Sequence, residues 1–456
     1  MLNSGKIDSL KGILRKSHIY SSPESLLPFA TDASNVPGYP DLVVVPQDKA
    51  DVVEVMKWTH RERIAVVPRG SGTGVTAGAV PICGGVVLSL SRMHRILDIN
   101  RSNMIAEVEP GVITGDLKDA VEKEGLFYPP DPASLKACTI GGNIAENAGG
   151  PKAVKYGVTR DYCLGMEVVL ADGRVLQTGS KTLKSVVGYD LTRLMVGSEG
   201  TLGVITKVYL RLINKPETVR TLRVLFPSID NAVSAIIAIF NTGITPSTLE
   251  LMDKSSIHCV SASLDMDFPK DKNAMLLLEV DGESRGVDRQ ADEIKTLLSR
   301  QFGTEVDEAR SELEREALFS LRRAISPAIY RLGTKKLNED ICVPRDRLAE
   351  CFKRLEKIAE RYDLNMANFG HAGDGNIHIN ILLRDEAREG KKAKAAVREI
   401  FQMAVAFGGT ISGEHGIGVT KAPYLNMEID PEEIKLMKAL KKLFDPHGLL
   451  NPGKIF

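Results

Sequence analysis

Cysteine is scarce in this chain: six residues in 456, at positions 83, 138, 163, 259, 342 and 351, with no CxxC pair among them. That pattern argues against an iron–sulfur cluster or zinc ribbon of the chain's own and against a disulfide scaffold. Net charge is missing too. Lysine plus arginine (59) balances aspartate plus glutamate (59), so no basic field steers the chain to nucleic acid or an anionic membrane. Long apolar runs are absent: the longest, AVSAIIAIF at 232–240, falls far short of the ~20 residues a bilayer span needs. The start, MLNSGKIDSLKGILRKS, lacks the apolar segment of a signal peptide. A cytoplasmic protein without a transmembrane segment is expected. Its length suits two or three domains, each able to bury a core.

Glycine, by contrast, is plentiful and gathers in three loops of the first half. VVPRGSGTGVTAGAV (66–80) follows a strand-like run and exposes many backbone N–H groups, the makings of a concave anion site. Its glycines at 70, 72, 74 and 78 miss the GxGxxG spacing, and GGVVLSL beyond Pro81 reads as a strand where a dinucleotide fold would start a helix. PPDPASLKACTIGGNIAENAGG (129–150) and VVGYDLTRLMVGSEGTLGVIT (186–206) repeat the theme. Three such loops suit a long cofactor with a diphosphate and two ring systems.

Around them, DLVVVP, IAVVP, GGVVLSL, MIAEVEPGV and MEVVLADGRVL read as strands, the last a hairpin turned at Ala171-Asp172-Gly173. Lys215-Pro216 marks a boundary. Residues 220–306 then run strand, helix, strand, strand, helix, strand, the order of a ferredoxin-like unit. Long charged helices follow over 307–331, 345–362 and 388–406.

Two of only eight histidines lie seven apart in GHAGDGNIHINI (370–381). On one strand His371 and His378 would face opposite ways, and on one helix they would stand roughly 10 Å apart. Gly373 and Gly375 point instead to a bend that brings the rings together. Beyond it Ile377, Ile379 and Ile381 alternate with His378 and Asn380, as in a half-buried strand. Convergent imidazoles suggest a metal, which takes a third ligand; a polar hairpin with hydrogen-bonded histidines is the other reading of this segment.

PRGSGTG, TIGGNIAENAGG and GSEGTLGVIT together resemble the FAD-binding half of the vanillyl-alcohol-oxidase/PCMH flavoproteins. GHAGDGNIHINI, SGEHGIG (412–418) and FDPHGLLNPGKIF narrow the resemblance to the D-2-hydroxyacid dehydrogenase branch, which holds D-lactate, glycolate and D-2-hydroxyglutarate enzymes. The resemblance implies an α+β fold. A PCMH-type FAD-binding domain of two α+β subdomains would occupy residues 1–213. A ferredoxin-like α+β cap with the histidine hairpin would fill 214–409, and a C-terminal helical segment, 410–456, would return to the flavin.

It further implies FAD contacts from Arg69, Gly70, Ser71, Gly72, Thr73 and Gly74 at the diphosphate. Asp131, Ser134, Thr139, Gly142, Asn143 and Asn147 would add to these. Glu199, Gly200 and Ile205 would hold the adenosine region, with Asn451 reaching back to the flavin. The diphosphate loop has no histidine, so the flavin is expected to be non-covalent. Carried over residue by residue, His371, His378 and Glu414 would bind one divalent metal ion, with zinc, manganese and iron all suited to such ligands. His415 would be the catalytic base, histidine being the side chain that titrates near neutral pH. Arg322, with Arg323 second, would clamp a substrate carboxylate, and Lys336 and Asn380 would join it.

The implied reaction is oxidation of a small-molecule 2-hydroxy acid to the 2-oxo acid, with hydride passing to flavin N5. A quinone, an electron-transferring flavoprotein or an iron–sulfur subunit would take the electrons, and such a partner could hold the chain at a membrane surface; a homodimer is compatible with all of this. Three rivals stay open. Two histidines and a carboxylate also make the facial triad of non-haem iron oxygenases. Related flavoproteins include alcohol oxidases and an ether-lipid synthase. A flavin-bearing electron-transfer subunit with an inactive site is the third.

Overall fold

The computed structural model describes residues 2, 4–14, 17–264 and 268–456. It divides into two units, one of Met1–Gly150, Gly157–Lys215 and Glu414–Phe456, the other of Pro151–Tyr156 and Pro216–Gly413. The short Pro151–Tyr156 segment belongs to the second unit although the chain on both sides of it belongs to the first. No helix among the described residues is long and apolar enough to cross a membrane.

In the first unit, the near-continuous apolar runs LVVV, VVPR and VVLS fold as strands buried on both faces. Leu42–Val45, Val86–Ser89 and Val66–Arg69 pair in parallel in that order, and His18–Tyr20 adds antiparallel to Leu42–Val45. The helix Lys49–Glu62 links Leu42–Val45 to Val66–Arg69. Asp48 caps it by accepting from Asp51 N–H, and Arg63 ends it in the left-handed conformation. Its Val52, Val55, Met56 and Trp58 are buried with Leu42, Val44, Val66 and Val86. A second sheet is antiparallel, in the order Ile96–Asn100, Ile105–Val108, Val204–Arg211, Cys163–Val169, Val175–Gly179. These are the two α+β subdomains.

The second unit centres on a seven-stranded sheet. Val306–Glu308, Thr218–Phe226, Ala274–Gly282 and Thr248–Asp253 lie in that order, the 4-1-3-2 arrangement of a ferredoxin-like unit. Asn365–His371, Asn376–Leu383 and Lys335–Cys342 extend the sheet beyond Thr248–Asp253. Register decides which side chains share a face. Glu250 stands opposite His371, Phe369 opposite His378, Asp340 opposite His378, and Asn338 opposite Asn380. One face therefore gathers polar groups, while Leu249, Leu251, Ile377, Ile379 and Ile381 are buried on the other. On the polar face the helices Lys254–Leu264 and Glu312–Ala328 supply Ile257, Val260, Leu321 and Ile325 to a core with Met252, Phe369 and Leu382.

The helix Lys254–Leu264 is not foreseen by the ferredoxin-like pattern, because KSSIHCVSASL has little periodicity. Its start is set by Asp253, which accepts from Ser256 N–H at 2.8 Å and from Asn368 N–H at 2.8 Å. Burial outweighs these bonds and pushes the Asp253 carboxyl from 3.8 up to about 6. Below about pH 4 the group is protonated folded or unfolded; above about pH 6 folding must bury its charge, at a cost of about 3 kcal/mol. The stability difference between Asp253→Asn and the parent, read from denaturant midpoints, is therefore expected to shift in the variant's favour between about pH 4 and pH 7. A difference that does not change with pH would contradict this.

Candidate metal centre and flavin loops

The histidine pair sits on two adjacent strands, Asn365–His371 and Asn376–Leu383, joined by a turn over 372–375. The turn requires its last glycine: at Gly375 φ is +86° and a Cβ would stand 1.9 Å from the Val343 carbonyl oxygen. The bend brings the rings to 5.1 Å between centroids with their planes perpendicular, and both histidines are buried. Glu250, fully buried on the neighbouring strand, hydrogen-bonds His371 Nδ1. Its other oxygen accepts from Arg322 Nε at 2.6 Å. Burial alone would raise the Glu250 carboxyl, but His371 and Arg322 outweigh it and hold the group well below the usual carboxylate range.

The loop that delivers Glu414 is held from the same sheet face. Asp340 Oδ2 accepts from Gly413 N–H at 2.8 Å and Oδ1 from Ser412 Oγ at 3.4 Å. A Cβ at Gly413 would lie 2.5 Å from Asn376 Nδ2, so glycine is needed for this approach. The result is that His371, His378 and Glu414 each offer a ligand atom, all within 4.8 Å of one another.

The other expected substrate groups are placed unequally. Arg322 lies 4.4 Å over the Phe369 ring, whereas Arg323 is exposed and bonds Glu316 and Ser320. Lys336 donates to Ser326 Oγ at 3.3 Å and lies 5.5 Å from the Tyr330 ring centroid, and burial lowers its pKa. Asn380 spends its amide nitrogen on the Ala367 and His378 carbonyls, at 3.1 and 3.3 Å.

In the first unit, Val66–Arg69 runs straight into the glycine loop at the carboxyl end of a parallel strand, where such sheets bind ligands. Arg69 turns its charge inward. Nη1 donates to Ala79 O at 3.1 Å and Nη2 to Thr31 O at 2.9 Å, which clamps the loop shut. A Cβ at Gly70 would meet Thr139 Oγ1 at 2.3 Å, and one at Gly72 would meet Arg69 Nη2 at 2.2 Å. Ser71 is exposed, and Thr73 and Gly74 are half-buried.

In the second loop the Ser134 carbonyl accepts from Ala137 and Cys138 N–H. Thr139 caps the helix Ile140–Glu146 by accepting from Gly142 N–H at 3.3 Å. Asn143 donates to Thr114 Oγ1 at 2.7 Å, Asn147 accepts from Arg160 N–H at 2.9 Å, and the Asp131 carbonyl lies 2.4 Å from where a Gly150 Cβ would stand.

Glu199 and Gly200 turn the third loop in the left-handed region, with φ of +51° and +69°, and Ile205 is buried just beyond. Glu199 also accepts from Ile417 N–H at 2.8 Å and Gly418 N–H at 2.7 Å, so it fixes the chain directly after His415. Thr76 Oγ1 donates to the His415 carbonyl at 3.0 Å. Asn451 donates to Gly78 O at 2.9 Å and Glu199 O at 2.7 Å, tying the C-terminal segment to two of the three loops. Burial, with Glu199 and Asp32 nearby, pushes the Glu146 carboxyl well above its usual range. Among the described residues, Glu146 Oε2 and Asn451 Oδ1 are buried without a hydrogen-bond partner.

Comparison with known proteins agrees with this architecture. An FAD binding domain matches residues 40–179, and the C-terminal domain of FAD linked oxidases matches residues 215–455. Glycolate oxidase subunit GlcD of Bacillus subtilis is 45% identical over 421 residues, spanning 91% of this chain and 89% of that one. A D-lactate dehydrogenase of Anaerostipes hadrus is 37% identical over 91% of this chain and 89% of its own. A D-2-hydroxyglutarate dehydrogenase of Stutzerimonas stutzeri is 32% identical over the full length of both. Among solved structures, p-cresol methylhydroxylase has a TM-score of 0.79 at 18% identity, covering 100% of this chain and 97% of that one. That likeness shows the fold.

The chain belongs to the FAD-linked oxidases. It is a flavin-dependent oxidoreductase, which sets aside the flavin-free oxygenase.

Two site groups escaped the sequence reading, Glu250 and Asp340. The signal for Glu250 is a charged residue alternating with leucines in TLELMD; for Asp340 it is the same anomaly before ICVP.

Proposed function

We propose that the chain oxidises a D-2-hydroxy acid, of the lactate, glycolate or 2-hydroxyglutarate type, to the 2-oxo acid, using FAD and one divalent metal ion. The observation that carries this reading is the meeting of His371, His378 and Glu414 within 4.8 Å in a flavin enzyme whose relatives are named for such substrates. The residues fit both groups. Two imidazoles and a carboxylate form a donor set that suits zinc, manganese and iron and leaves positions open for a substrate. The glycine cradle at 70–74, where Cβ atoms have no room at Gly70 and Gly72, and the unpartnered Glu146 and Asn451 oxygens fit a polar cofactor.

A metal held there supplies a Lewis acid that makes the substrate hydroxyl more acidic. FAD supplies the two-electron acceptor, at N5. His415 takes the hydroxyl proton as C2 gives up its hydride, so the alcohol loses two electrons and two hydrogens. Arg322, gripped at Nε, has its outer edge available for a bidentate bond to the substrate carboxylate. Lys336 adds a second cation. The six cysteines are all free thiols, and we assign onward electron transfer to an acceptor outside the chain.

The test is anaerobic mixing of the yellow protein with glycolate and with the D- and L-forms of lactate and 2-hydroxyglutarate. Bleaching by glycolate or a D-acid, with the L-acids inert, is expected. A flavin left oxidised by the whole panel would end this reading.

A further inference from the structure

We propose that Glu250 is a positioning residue that orients two groups at once: the His371 imidazole towards the metal and the Arg322 guanidinium towards the substrate carboxylate. The inference rests on the function proposed above and adds a residue to it.

Glu250 comes from Thr248–Asp253, a strand of the ferredoxin-like unit some 120 residues before the histidine hairpin, and antiparallel register sets it opposite His371. Its side chain is 1% exposed, so a carboxylate here is costly unless both oxygens are used. They are. One oxygen takes His371 Nδ1 and the other takes Arg322 Nε. An imidazole whose Nδ1–H is donated to a carboxylate keeps its Nε2 lone pair as the ligand and cannot turn away from the ion. A guanidinium gripped at Nε and laid 4.4 Å over Phe369 is likewise fixed in rotation. Among the described residues neither Nη group of Arg322 donates to a protein acceptor, so the fork is presented to a ligand. Phe369 and His371 lie two apart on one strand and share the face with Glu250. Carboxylate, ring, imidazole and guanidinium thus form one contiguous unit, and the Glu250 charge balances Arg322 within it.

If Glu250 merely neutralised Arg322, metal binding would not depend on it. The discriminating measurement is Zn2+ affinity of the metal-free flavoprotein, by competition with a chromogenic chelator, beside the substrate KM at saturating Zn2+. Glu250→Gln offers one oxygen to two donors. It is expected to weaken Zn2+ binding by about 10–100-fold and to raise KM, with FAD content unchanged. Arg322→Met is expected to raise KM while Zn2+ binding stays at the parent value. Parent-like Zn2+ affinity in Glu250→Gln would overturn the proposal.

If that variant does not fold, Glu250→Leu combined with Arg322→Met leaves no unpaired buried charge and takes its place. The same fall in Zn2+ affinity is expected, and parent-like affinity again overturns the assignment. A parent protein that binds no divalent ion would sink the functional reading itself. A parent that binds Zn2+, with a Glu250→Gln protein that binds it equally well, would sink only the role of Glu250.

Discussion

His415→Ala is expected to retain FAD and to be reduced by its 2-hydroxy acid about 10²–10⁴-fold more slowly than the parent, the usual worth of a positioned acid–base group. The separation of binding from chemistry follows from how the loop is held. Thr76 fixes the His415 carbonyl, Glu199 receives the N–H groups of Ile417 and Gly418, and Asp340 receives that of Gly413. None of these bonds uses the imidazole. Alanine therefore removes the ring and leaves the backbone path, with Glu414 beside it, in place. Stopped-flow absorbance of the flavin reads the rate, and the spectrum before mixing reads the bound cofactor. Reduction at the parent rate would show that the proton goes elsewhere.

His378→Ala is expected to act on the metal first. With two protein ligands in place of three, affinity should fall by more than the roughly 10–100-fold that follows loss of an outer-shell partner. The purified variant should then carry FAD at the parent ratio but little metal. His378 lies on a strand paired on both sides, to Asn365–His371 and to Lys335–Cys342, with Ile377, Ile379 and Ile381 anchoring the opposite face. The backbone is held by those partners, so the loss should appear in metal content and flavin reduction, and unfolding should shift little. Glu414→Ala should behave in the same way. Full metal occupancy in either variant would contradict the ligand assignment.

Local geometry was legible in the sequence where it depended on near neighbours. The bend between His371 and His378 follows from glycines within the segment, and the isoleucine alternation already separates a greasy face from a polar one. The ferredoxin-like order was legible because each of its elements carries its own period. What could not be read depends on pairing at long range. Glu250 lies 121 residues from His371, and nothing near it in the chain says that its strand will lie beside that hairpin. Asp340 sits on an added edge strand whose position follows from the sheet order alone. Lys254–Leu264 lacks an amphipathic stripe and is started by a buried aspartate. Pro151–Tyr156 is placed in the second unit by Lys152 and Lys155, which pair with Glu279 at 3.4 Å and Asp281 at 2.5 Å; these are contacts that no local pattern announces. In the glycine-rich loops the structure gives individual side chains bracing work, Arg69 and Asn143 above all.

The most direct measurement is anaerobic flavin bleaching by a D-2-hydroxy acid, followed in the parent protein before and after its metal is stripped with a chelator and then restored. Bleaching that is lost on stripping, with FAD still bound, and recovered on adding Zn2+ or Mn2+ is the expected result. Bleaching at an undiminished rate in metal-free protein would contradict the role given to His371, His378 and Glu414.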